Sequence, residues 1–326
     1  MLQKIIVAPD SFKGSATSAE LCGWISDKLK SLIPGCEVHK LPIADGGEGT
    51  VDCFITAISG KPGARAKKII LPVCGRRQGE TIDASFAVID SEDGCACRAV
   101  VETASCAGMA EGYNPLDTTT LGVGQQIKRA VELGCGEIIV GLGGSCTNDG
   151  GAGLAVALGV RFFNRAGREF VPVGGSLCEI ANLDITEARE LLRGVKLTAM
   201  CDVDNPTVGS RGAAYVFAPQ KGALCGELPL LDAGLRNYCE VIRRRLGVDV
   251  SGLPGGGAAG VPVIALVGGV ELDGAELESV YSEGVSAVVP INRRAEPFEV
   301  SRLRVRENVS QTVGDIVRVM KLFKFE

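Results

Sequence analysis

Val140-Gly-Leu-Gly-Gly-Ser-Cys-Thr-Asn-Asp-Gly-Gly-Ala-Gly153 closes the apolar run Ile138-Ile139-Val140 and leads into the small-residue run Ala152–Leu158. That order predicts a strand, a glycine-rich loop and a helix start, the repeating unit of an α/β fold. Such a loop lets backbone N–H groups and a helix N-terminus converge on an anion. It is not a P-loop, because no Gly-Lys-Ser/Thr follows, and it is not the spaced GxGxxG of dinucleotide folds. Small polar side chains and a carboxylate in the same loop suit a phosphate or a metal ion. Gly143, Gly144, Ser145, Thr147, Asn148 and Asp149 therefore form the candidate phosphate loop, with Asp149 also a candidate metal ligand.

Outward from this loop the chain alternates between strand and helix. Residues 4–8 predict a first strand. Thr17-Ser-Ala-Glu20 is a capping box, and Leu21, Trp24, Ile25, Leu29 and Leu32 follow at helical spacing until Pro34-Gly35. A second strand over Cys36–Leu41 ends at Ala44-Asp-Gly-Gly-Glu-Gly49, and a helix starts near Thr50. Two strand–loop–helix units in succession indicate a parallel sheet. The texture then changes: Lys67–Val73, Glu80–Ile89 and Arg98–Thr103 read as an antiparallel meander. A helix over Gly122–Leu133 precedes the glycine-rich loop, a strand covers Val195–Met200, and a helix covers Leu230–Leu246 behind Pro229. Strict alternation returns with strand Val263–Val267, helix Ala275–Ser282, strand Ala287–Ile291 and helix Val300–Leu322. The expected fold is two α/β domains. Residues 1–65 and 261–326 form a Rossmann-like parallel-sheet domain built from both chain ends, and residues 66–260 form an inserted mixed α/β domain. The cleft between domains is then the expected site.

Composition narrows the chemistry. The 326 residues are 46% hydrophobic and 22% charged, enough apolar material for a substantial core, with a net charge of −5 and scattered Lys and Arg that do not make a nucleic-acid surface. No apolar run reaches membrane-spanning length, and the N-terminal apolar stretch is too short for a signal peptide, so a cytoplasmic location is expected. There are 13 cysteines and one histidine, His39. The odd count and the absence of CxxC (Cys95 and Cys97 are the closest pair) predict reduced thiols used as small buried hydrophobes, not a zinc site. One histidine also removes most Ser/His and Cys/His nucleophile schemes, leaving acid–base work to carboxylates and lysines.

Four further polar loops share one design, a strand end followed by Gly, Asp or Lys. Pro9-Asp-Ser-Phe-Lys-Gly14 puts a lysine where it reaches a phosphate or carboxylate, with Asp10 to orient it. Ala44-Asp-Gly-Gly-Glu-Gly49 offers two carboxylates among glycines, suited to Mg²⁺ or a general base. Cys201-Asp-Val-Asp-Asn-Pro206 places Asp202 and Asp204 on one face if extended. Pro219-Gln-Lys-Gly222 adds another lysine. Each is also an ordinary turn composition. Together, anion-binding glycines, lysines and carboxylates without a histidine suit phosphoryl transfer, in which catalysis is mostly positioning and charge neutralisation.

In order along the chain, APDSFKGS (8–15), ADGGEGTVD (44–52), ETAS (102–105), GLGGSCTNDGGAG (141–153), CDVDNP (201–206), APQKGA (218–223) and PGGGAAG (254–260) resemble the motifs of the type I glycerate kinase family. The resemblance implies a two-domain α/β kinase that uses ATP and Mg²⁺ to phosphorylate D-glycerate, with 2-phosphoglycerate the usual product and 3-phosphoglycerate the lesser expectation. It makes Lys13, Asp45, Asp202 and Lys221 the catalytic candidates and Asp10, Ser11, Gly46, Gly47, Glu48 and Asn205 the substrate-binding candidates. Asp149 and Asp204 are the candidate metal ligands. The sequence departs from the family at the Gly260–Val261 junction. There, relatives carry a helix, a strand with a TGEG-type motif and a basic helix before the VPVIAL segment. Loss of a strand–helix unit exposes a sheet edge or forces another strand into its place, which leaves a homo-oligomer open. It also leaves a second reading: a relative that binds glycerate or nucleotide without transferring phosphate. A dinucleotide-dependent oxidoreductase is disfavoured because no GxGxxG follows the first strand.

Overall fold

The computed structural model describes residues 4–12, 16–44, 46–59, 64–91, 97–200, 203–253, 255–257 and 287–288. In chain order the elements are β1 (Lys4–Val7), α1 (Ser18–Leu32), β2 (Glu37–Lys40), α2 (Thr50–Ser59), β3 (Ala64–Cys74), β4 (Thr81–Ser91), β5 (Arg98–Glu102) and α3 (Ala104–Ala107). They continue with α4 (Leu121–Glu132), β6 (Glu137–Gly141), α5 (Ala152–Ala157), β7 (Arg161–Phe163), β8 (Glu169–Phe170), β9 (Asn182–Asp184), α6 (Thr186–Leu191), β10 (Lys196–Met200), α7 (Ala213–Phe217), α8 (Leu228–Leu246) and β11 (Ala287–Val288). The chain divides into two compact units. One takes the described residues of Met1–Ala44, Asp52–Gly60 and Ala275–Glu326; the other takes those of Asp45–Val51 and Lys61–Gly274.

The first unit carries a parallel sheet in the order β11-β1-β2, with Ile5 opposite Ala287 and Val38. The capping box forms as its spacing requires: Glu20 N–H donates to Thr17 Oγ1 at 3.2 Å and Thr17 N–H to Glu20 Oε2 at 3.0 Å. From that fixed start, helical periodicity turns Leu21, Cys22, Ile25 and Leu29 onto Ile5 and Val7. Burial of each large aliphatic side chain contributes roughly 1.5–3 kcal/mol. Ser18 then ties the ends of both strands together, donating to Pro9 O at 2.6 Å and accepting from Ile43 N–H at 3.0 Å. The expected strand at 263–267 and the helices at 275–282 and 300–322 lie outside the described residues.

The second unit is built on a mixed sheet in the order β10-β6-β5-β4-β3. The meander expected between residues 67 and 103 is present as antiparallel β3-β4-β5, and β5 then continues into parallel pairing with β6, as β6 does with β10. After its first residue β5 is buried throughout, as a central strand covered on both faces must be. α4, α5 and α8 supply the helical cover, and Tyr238 of α8 meets Phe162 edge-to-face at 5.7 Å. A small antiparallel sheet, β8-β7-β9, completes the unit. Most described cysteines are buried, and none of them is in a disulfide. His39 is exposed on β2, 3.0 Å from Glu37. Among the described residues no helix is long and apolar enough to cross a membrane.

Candidate functional site

Parallel pairing aligns the C-terminal ends of three strands of the second unit: Glu102 lies opposite Gly141, and Gly141 opposite Met200. Loops leaving the carboxyl ends of parallel strands gather on one edge of a sheet, which is where α/β folds bind ligands. Gly46 and Gly47 are seated on that edge. Gly143 N–H donates to Gly46 O at 3.1 Å and Leu142 N–H to Met200 O at 3.1 Å. The two glycine segments touch backbone to backbone. A Cβ on Gly141 would lie 2.4 Å from Gly46 O, and one on Gly46, whose φ is +86°, 2.6 Å from Met200 O. Neither place admits a side chain. Gly141→Ala is therefore expected to cost roughly 2–3 kcal/mol through forced backbone separation. Differential scanning calorimetry should then show a Tm lowered by roughly 5–10 °C; an unchanged Tm would refute this seating.

Glu102 secures the same loop from the other side. Its buried carboxylate accepts from Val51 N–H at 3.0 Å, at the start of α2, where helix N–H groups have no partner within the helix. Thr50 Oγ1 donates to Gly47 O at 2.7 Å, completing the anchor. ETAS was recognisable in the sequence, but the use of Glu102 as a clamp on a loop 51 residues earlier was not.

The glycine-rich loop differs from its expected form at Asp149. A helix N-terminus open to an external anion is replaced by an internal one: Asp149 Oδ1 accepts from Gly151 N–H at 3.1 Å, and Oδ2 from Gly153 N–H at 3.2 Å. Oδ2 also accepts from Thr120 N–H and Thr120 Oγ1, both at 2.8 Å. Thr120 Oγ1 in turn accepts from Leu154 N–H at 2.9 Å. Both oxygens of this wholly buried carboxylate are engaged, as a buried charge requires. Asp149 thus braces the loop, with both carboxylate oxygens taken by protein donors. Burial pushes its carboxyl up, opposed by the hydrogen bonds from Thr120, Gly151 and Gly153. Thr120 was missed in the sequence. Its signal is the run Thr118-Thr119-Thr120, three polar side chains that are all buried.

Lys221 reaches the loop from a turn of 3₁₀ helix, Pro219–Lys221, closed by Gly222. Its Nζ donates to Thr147 O at 2.6 Å and to Ser145 Oγ at 3.0 Å. Desolvation lowers its pKa from 10.5 to about 8, with the Asp149 carboxylate pulling the other way. Beside it, Asn148 is buried with neither Oδ1 nor Nδ2 hydrogen-bonded, and Thr147 Oγ1 is likewise unpartnered. Buried amides normally find partners, so an unpartnered one in this loop is unusual. A buried cation and a buried donor–acceptor amide on one glycine loop fit an oxyanion ligand.

Lys13, Asp45 and Asp202 lie outside the described residues. Asp10 is exposed and Ser11 half-buried, both following β1 in the first unit. Glu48 is exposed. Asn205 Nδ2 donates to Arg211 O at 2.8 Å, and Asp204 is exposed with Arg211 4.0 Å away. Among the described residues no group of three or more His, Cys, Asp or Glu side chains is placed to hold a metal ion.

The model of the glycerate kinase family matches residues 5–261. The chain belongs to the glycerate kinase family. It is 41% identical to a glycerate kinase of Bacillus subtilis over 79% of this chain and 65% of that one. It is 40% identical to glycerate 2-kinase of Escherichia coli over 85% of this chain and 70% of that one. The crystal structure of a Salmonella typhimurium LT2 protein assigned as glycerate kinase 2 superposes with a TM-score of 0.69 at 36% identity, covering 84% of this chain and 72% of that chain. The chain spans about two thirds of the length of these curated relatives. The family match stops at residue 261.

Proposed function

We propose that the chain is a glycerate kinase that transfers the terminal phosphoryl group of ATP to D-glycerate, giving 2-phosphoglycerate. The observation that carries this reading is Lys221, a buried cation hydrogen-bonded to Ser145 and Thr147 of the glycine loop, beside the unpartnered amide of Asn148. In this reading Gly143, Gly144, Ser145, Thr147 and Asn148 hold the ATP phosphates, and Lys221 neutralises charge on the transferring group. Asp45 or Asp202 orients or deprotonates the glycerate hydroxyl, and Lys13 pairs with the carboxylate or the phosphoryl group. Asp10, Ser11, Gly46, Gly47, Glu48 and Asn205 are the proposed contacts to glycerate. Mg²⁺ enters with ATP as its counter-ion, and no step is assigned to a protein-held metal. Residues 1–65 with 261–326, and 66–260, are the proposed domains.

A second reading has a specific motive. It rests on the departure from the family's motif order at the Gly260–Val261 junction, and takes the chain as a relative that binds glycerate or nucleotide without transferring phosphate. Incubation of the full chain with Mg·ATP and D-glycerate separates the two. The expected result is ADP release that requires D-glycerate and falls by orders of magnitude in Lys13→Ala, with ³¹P NMR showing phosphate on the C2 oxygen. Nucleotide binding by calorimetry without turnover would instead support the binding-only reading, and phosphate on C3 would overturn the stated product.

A further inference from the structure

Within the second unit, residues 109–113 and 219–222 face each other across a cleft of about 410 Å³. We propose that this cleft holds the nucleoside of ATP, an inference that rests on reading the 143–149 loop as the phosphate site.

Both walls of the cleft are fastened to that loop. Met109 N–H donates to Gly144 O at 2.9 Å, and Lys221 Nζ donates to Ser145 Oγ and Thr147 O. A ligand whose phosphates lie on the loop therefore has its remaining bulk directed between these walls. The walls are also joined at their base: Asn114 Nδ2 donates to Gly222 O at 3.4 Å and to Glu227 Oε2 at 2.9 Å. A Cβ on Gly222 would lie 2.3 Å from Tyr113 O, so the two backbones touch there. The ring of Tyr113 is held by the guanidinium groups of Arg76 and Arg77, 5.2 and 4.7 Å from its centroid. The cleft is thus preformed and loses little entropy on closing around a ligand.

Size and chemistry select the occupant. The volume lies in the range of sites that enclose drug-sized ligands, and a three-carbon hydroxy acid would fill only a small part of it. Met109 and Pro219 present flat or polarisable apolar surface, which suits the faces of a purine and not a small polyol acid. Glu111 and Gln220 at the same cleft offer acceptors for an exocyclic amine, and Glu111 disfavours a carboxylate.

Filling the cleft tests the assignment. Met109 is 39% exposed, so Met109→Trp adds bulk there without entering the core; Gln220→Trp does the same from the opposite wall. Calorimetry on the full chain would compare ADP with inorganic tripolyphosphate, which reports on the loop alone, and circular dichroism would confirm folding. Both variants should weaken ADP at least tenfold while tripolyphosphate binds as to the parent chain. ADP binding unchanged in both variants would overturn the cleft assignment and leave the phosphate loop standing. Weakened D-glycerate with unchanged ADP would overturn it in favour of the acid. A parent chain that binds neither ADP nor tripolyphosphate would overturn both the cleft and the loop reading.

Discussion

Lys221→Met should lower glycerate-dependent turnover at least a hundredfold while changing folding stability by no more than about 1 kcal/mol. The two effects separate because Lys221 is held where its charge is costly. With its pKa lowered to about 8, the buried ammonium opposes folding by on the order of 3 kcal/mol below that pH. Methionine fills similar volume without that charge, and the gain offsets the two acceptors, Ser145 Oγ and Thr147 O, left without Nζ. The pH dependence follows with a definite sign. Between about pH 8 and 10.5 the unfolded lysine keeps its proton and the folded one does not, so this residue's contribution to stability rises with pH over that window. In the same free protein the cation that attracts phosphate is lost as pH passes about 8, so kcat/KM for ATP should fall there. Lys221→Met should lack both the rise in stability and the fall in kcat/KM. Stopped-assay kinetics and urea unfolding at pH 7, 8 and 9 check all three statements. Turnover that survives in the variant would remove Lys221 from the reaction.

Asp149→Ala should destabilise the second unit by roughly 3–5 kcal/mol, with a Tm lowered by roughly 10 °C or more. Its carboxylate accepts from Thr120 N–H, Thr120 Oγ1, Gly151 N–H and Gly153 N–H, and truncation leaves these donors buried without partners. Asp149→Asn keeps the shape and one acceptor oxygen but turns an NH₂ group toward donors, so its cost should fall between the parent chain and alanine. It also removes a negative charge that supports the Lys221 cation, so the alkaline limb of kcat/KM should move below about pH 8. Excess Mg²⁺ should rescue neither variant. Restoration of activity by Mg²⁺ without a change in Tm would identify Asp149 as a metal ligand and defeat the strut assignment.

How far the site is legible from the chain depends on which interactions are local. The capping box at Thr17–Glu20 and the strand–loop–helix around residue 141 are written in spacings of a few residues and form where the spacing puts them. The helix expected from Leu230 starts two residues earlier, at Leu228, with Pro229 in its first turn. The two glycine segments and Lys221 are likewise visible as polar loops at element ends. Their meeting is not visible. Lys221 reaches Ser145 across 76 residues, and Glu102 reaches Val51 across 51. Strand direction is hidden as well: β5 pairs antiparallel with β4 and parallel with β6, although side chains alternate with the same period in both arrangements.

Asp149 shows where the division falls. Composition alone determined that a carboxylate stands in a glycine-rich loop between a strand and a helix, where it suits a metal, a phosphate-bound ion or a cap equally well. The choice belonged to Thr120, on a different segment, which brings two donors to a carboxylate already near Gly151 and Gly153. The sequence by itself determined the α/β alternation, the glycine loops and an inventory of lysines and carboxylates without a histidine nucleophile. Only the tertiary structure decided which of those groups turn inward as struts and which stay exposed, because burial and long-range hydrogen bonding set the role of a polar side chain.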